Sequence, residues 1–173
     1  MPQPLGHTIA DSLNLSLGYA ERLLTDVDAS RFARLAAPGG KVVQSNHPAF
    51  IYGHLCLYAP QILTQLNQDA PTLSDRFEAA CSKDATCVDD PDGSIYPSME
   101  ETRDCLFSSY KAVAEVFRNT SDDVFQQKNP LTGRLGELFP TIGSMHNFYV
   151  GGHMMIHMGQ MSAWRRMEGL GAA

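Results

Sequence analysis

Apolar residues recur at three- and four-residue spacing in four long stretches of the 173-residue chain, and no stretch alternates convincingly as a half-buried strand would. Helices that each bury one stripe satisfy that pattern, so the expected fold class is all-α, a four-helix bundle with long connections. The first stretch runs from about Asp11, an available cap, to Leu24 through Leu13, Leu17 and Ala20. The second opens at Asn46, the expected N-cap, with Pro48 in the first turn, and continues to about Leu66. The third starts at Ser98-Met99-Glu100-Glu101, which has capping-box spacing. The fourth, expected to be the longest, runs from near Ser144 to Gly169, with Arg165 and Arg166 facing the negative helix end.

At this length the chain is expected to form a single domain over residues 1–173, with enough core to need no staples. A net charge of -6 and the lack of a Lys/Arg cluster beyond Arg165-Arg166 argue against nucleic acid as a partner. No basic, apolar leader is visible, and the most apolar window, "PAFIYGHLCLYAP", is too short to span a bilayer. The expected location is therefore the cytoplasm, with no membrane contact. Cys56, Cys81, Cys87 and Cys105 contain no C-x-x-C pair and read as free thiols, Cys81 and Cys87 being the pair best spaced to bridge or bind metal. Asp89, Asp90 and Asp92 lack the spacing and terminal glutamate of a calcium loop and read as a solvated turn.

"GGHMMIHMGQMSAWRR", from Gly151 to Arg166, places two histidines four residues apart within an apolar run. Each helical residue turns about 100°, so His153 and His157 share a face and can bind one cation. Within about 40° of His153 on the same rotation lie His146, Tyr149, Gln160 and Trp164, while Met154, Met155, Met158 and Met161 read as packing. His54 stands mid-helix in the second stretch, with Tyr58 on its side. His54, His153 and His157 together form a facial ligand set with open positions, suited to zinc, nickel, copper or ferrous iron. The bland alternative is three hydrogen-bonded core histidines. His47 and His146 each lie about 10 Å along the axis from a ligand, too far for the same ion, and read as helix-start or pocket-rim residues. The two connections, Asn67 to Pro97 and Asn119 to Gly143, are expected to shape the pocket mouth.

"NHPAFIYGHL" followed about a hundred residues later by "HMMIHMGQM" resembles the DinB/YfiT-like family of four-helix bundles. Gly53-His54-Leu55 matches its helix-two segment, and His153, His157, Gly159 and Gln160 match its late-helix motif. The chain departs from that motif at Ile156, Met158 and Met154, so an acidic helper beside the metal is missing. The resemblance implies a divalent ion, most often zinc or nickel, held by His54, His153 and His157. It also implies a homodimer and a transferase or isomerase using a low-molecular-weight thiol. Gln160, Tyr58 and Tyr149, with His47 and His146 beyond them, are the candidates for bracing ligands or touching a small-molecule substrate. The leading expectation is a metal-dependent thiol S-transferase or related hydrolase. Its rivals are a non-catalytic metal- or ligand-binding stress protein and a structural interaction bundle.

Overall fold

The structure, a computed structural model, describes residues 3–173. In chain order the helices are α1 (Leu5–Leu23), α2 (Ala29–Phe32), α3 (Pro48–Cys56), α4 (Tyr58–Gln65), α5 (Asp75–Cys81), α6 (Met99–Asn119), α7 (Asp122–Phe125), α8 (Gly133–Leu138) and α9 (Ile142–Asn147). A π-helical turn over Phe148–His153 then joins α9 directly to α10 (Met154–Met167). The fold is all-helical, and the described residues hold no strand, only an isolated bridge between Lys128 and Thr141. α1 packs on α6 and on the α9–α10 segment, and α3 packs on α6 and α10, so each long segment touches two others around one core. Two phenols cross that core: Tyr52 donates to the Ala20 carbonyl at 2.7 Å and Tyr110 to that of Leu55 at 3.1 Å. Both rings are fully buried, each contributing about 1.5–3 kcal/mol of apolar burial while keeping its hydroxyl paired.

The four expected helices are present, with corrected ends. α1 starts at Leu5 because its cap comes from far away: Leu5 N–H donates to the Asp122 carboxylate at 2.8 Å. Asp11, the expected cap, instead pairs with Arg118 at 3.0 Å. At α3 the N-cap is His47 rather than Asn46, its Nδ1 accepting from Phe50 N–H at 3.2 Å. The second helix does not run unbroken to Leu66. Pro60 has no N–H to offer the Cys56 carbonyl four residues back, so α3 ends there and Pro60 falls in the first turn of α4. Ser98 caps α6 through Glu101 N–H as its spacing implies. Thr141, not Ser144, starts α9, the two side chains forming a reciprocal capping box. Gly169 adopts the left-handed φ of 76° expected after the last helix.

The connections hold short helices too brief to show a 3.6-residue period, of which α5 matters most. It docks on α3 at Gly53, where an added Cβ would come within 2.4 Å of Cys81 Sγ. The acidic run is structural: the Asp90 carboxylate accepts from Ser94, Ile95 and Tyr96 N–H, and Asp89 pairs with Arg34. All four cysteines are free. No helix among the described residues is long and apolar enough to cross a membrane.

Candidate metal centre

His54 sits two residues before the end of α3, and the close approach of α5 sets its ring. Cys81 closes α5, so its carbonyl lacks a partner within the helix, and His54 Nδ1–H donates to it at 2.8 Å. A ring bound this way through Nδ1 presents Nε2 as an acceptor lone pair, the orientation typical of metal-ligating histidines, and here the Tyr58 hydroxyl donates to it. The same logic holds on α10, where His157 Nδ1–H donates to Gln160 Oε1 at 3.1 Å. That oxygen also accepts from Asn46 Nδ2 at 3.1 Å, which fixes the amide and with it the tautomer.

The Nε2 atoms of His153 and His157 lie 3.1 Å apart, and the three histidines can each offer one nitrogen with all three atoms inside 4.8 Å of one another. Two nitrogens bound tetrahedrally at about 2.0–2.1 Å from a zinc ion are about 3.3 Å apart, so this spacing needs little adjustment. With His157 Nε2 an acceptor, either neutral His153 donates Nε2–H to it or a cation lies between the two nitrogens. A further proton is disfavoured: burial, with His157 and His54 beside it, pushes the His153 ring down to about 3, and burial lowers His157 as well. His153 Nδ1 is itself buried without a partner. Convergent imidazoles, two of them hard to protonate, fit a divalent ion, and this cluster could hold one. It is the only such group of histidine, cysteine or carboxylate side chains among the described residues.

The cluster floors a cleft of about 550 Å³ lined also by Phe50, Tyr58, Ser82, Lys83 and Cys87, and it opens into a second lobe of about 510 Å³ walled by Leu131, Leu135, Phe148 and Tyr149. Both long connections therefore reach the pocket. Tyr58, whose burial raises its phenol and keeps it protonated, places its hydroxyl 3.2 Å from His54 Nε2. Its ring lies 4.5 Å from that of His153 and 5.1 Å from that of Tyr149.

The remaining expected face residues lie elsewhere. His146 is fully buried, donates through Nε2 to Gln65 Oε1 at 2.8 Å and stacks on Phe117, so it is core rather than rim. His47 uses both nitrogens, its Nε2–H donating to the Val88 carbonyl at 2.9 Å. Trp164 is core too, donating to the Arg34 carbonyl at 2.9 Å. Met154, Met158 and Met161 are packed as expected, whereas Met155 is exposed. The wide π turn between α9 and the ligands breaks the uniform 100° rotation that would have kept His146 in line with His153.

Sequence reasoning missed the Cys81 carbonyl, Lys83 and Asn46. The first two belong to the end of a helix too short to announce itself, and the third was assigned to a cap. No protein-family model, curated protein or solved structure matches the chain.

Proposed function

We propose that the protein is a divalent-metal-dependent enzyme built as a DinB-like four-helix bundle, acting on small molecules as a thiol S-transferase or related hydrolase. The observation that carries this reading is the convergence of three histidines at the floor of an open cleft. The order and spacing of Gly53-His54-Leu55 and His153, His157, Gly159 and Gln160 support the class of reaction. A divalent ion bound there supplies Lewis acidity and lowers the pKa of a water or thiol.

His54, His153 and His157 hold the ion, while the Cys81 carbonyl and Gln160 keep two of the rings turned toward it. The Tyr58 hydroxyl donates to the same nitrogen of His54, and an ion taking that nitrogen would free the hydroxyl to donate to a substrate atom.

Elemental analysis of untagged protein tests the site. About one divalent ion per chain is expected in the wild type and none in His54→Ala or His153→Ala. Wild-type protein that takes up no zinc or nickel on incubation would return the histidines to the core. Loaded protein is then assayed with thiols and electrophiles. Binding without turnover would favour a non-catalytic binding role, a reading favoured by the absence of any carboxylate among the residues lining the histidine lobe.

A further inference from the structure

We infer that the cleft takes an anionic amphipath, a small carboxylate carrying an aromatic or bulky apolar group, with Lys83 as the residue that selects the negative charge. The inference rests on the proposed metal site for its chemistry, but on other residues for its argument. The two lobes differ in character. The histidine lobe carries the amide of Asn46 and the side chains of Ser82, Thr86 and Cys87, whereas the second is walled by Leu57, Leu131, Leu135, Phe148 and Tyr149. His54, Tyr58, Ser82, Lys83 and His153 line both, so a molecule spanning the lobes must pass Lys83.

Lys83 is the only charged side chain lining the histidine lobe, and among the described residues it forms no ion pair. The single carboxylate of the cleft, Glu78, lines only the apolar lobe. Lys83, with no carboxylate in its own lobe, makes the histidine end of the cleft more positive than the Glu78 end, in a protein whose net charge is -6. Such a field concentrates anions, and low-dielectric walls strengthen it.

The second lobe supplies the other half of the recognition. The Phe148 ring lies 4.5 Å from that of Phe139 and 5.9 Å from that of His153, and the Tyr58 and Tyr149 rings lie 5.1 Å apart. This aromatic wall is continuous with the ligand rings and suits an aryl or branched alkyl group. Leu135 on α8 is 40 % exposed, apolar surface that a bound group would cover.

The test uses 3-phenylpropanoate against 3-phenylpropan-1-ol and acetate, titrated calorimetrically into full-length protein, zinc content being measured on the same samples. The acid is expected to bind at least tenfold more tightly than the alcohol or acetate. Lys83→Met is expected to erase the preference over the alcohol, and Leu135→Asp the preference over acetate, with zinc content unchanged in both. Equal binding of acid and alcohol, a preference that survives Lys83→Met, or no saturable binding of the acid would each overturn the inference. Zinc uptake with no acid preference sinks this inference alone. An acid preference in protein that takes up no zinc sustains it and sinks the metal reading instead.

Discussion

Five buried or half-buried histidines divide into two groups that differ in what their ring nitrogens face. His47 spends both, one as the cap of α3 and one on the Val88 carbonyl, and His146 is fixed by Gln65 alone in an otherwise apolar setting. His54 and His157 each spend Nδ1 on a brace from the protein, while their other nitrogens, partnered by the Tyr58 hydroxyl and by His153, converge on one point. Burial is common to both groups. What separates a core histidine from a candidate ligand here is a ring nitrogen facing the nitrogens of two other histidines, and a bracing bond on the far side of the ring.

Exchanging the two groups gives the largest effect. His54→Ala should abolish metal uptake, whereas His47→Ala should keep it and lose about 1–2 kcal/mol of stability with its cap, as read by elemental analysis and urea denaturation. Comparable metal loss in both variants would break the distinction.

Next comes the brace on α10. Gln160→Ala should weaken zinc binding about 10–100-fold, measured by chelator competition, while leaving the thermal midpoint of metal-free protein nearly unchanged because Gln160 is exposed.

The brace on α3 is tested at Gly53. Gly53→Ala forces a Cβ to 2.4 Å from Cys81 Sγ and should cost about 1–3 kcal/mol while reducing metal affinity. Adding Cys81→Ala removes the obstructing sulfur but keeps the carbonyl, so both properties should recover. Failure of that rescue would show that α5 docking does not set His54.

The effect of His146 is confined to acid pH. Burial pushes its pKa down to about 4 from the ordinary 6.5, so between these values an unfolded chain binds a proton that the folded one refuses. Stability of metal-free protein should therefore fall as pH drops through that window, by up to about 1.4 kcal/mol per pH unit from this residue. His146→Leu should flatten that slope in denaturation curves at pH 7, 6 and 5. An unchanged slope would show that His146 protonates in the folded protein.

Periodicity made the middles of the long helices legible, because Leu13, Leu17 and Ala20, or Leu106, Tyr110 and Val113, repeat on one buried face. The ends were less legible wherever the cap lay elsewhere. Asp122 caps α1 from 117 residues away, and no local pattern encodes that. Pro60 was visible, and its missing N–H was signal enough for the break after α3. The spacing of His153 and His157 needed only helical rotation, and His54 stood out as an imidazole in an apolar window. The π turn was foreshadowed only by Gly151-Gly152, and the Cys81 carbonyl by nothing local, since backbone atoms carry no sequence signature.

Cys81, whose carbonyl turns His54, stands two positions before Lys83 on the same tight exit from α5. A ligand that pulls on Lys83 therefore pulls on the group that aims one of the metal's three nitrogens. Thermodynamic linkage makes such an influence mutual: if an anion at Lys83 tightens the grip on the ion by some factor, the ion tightens the grip on the anion by the same factor. A helix of seven residues would thus link filling of the cleft to loading of the metal.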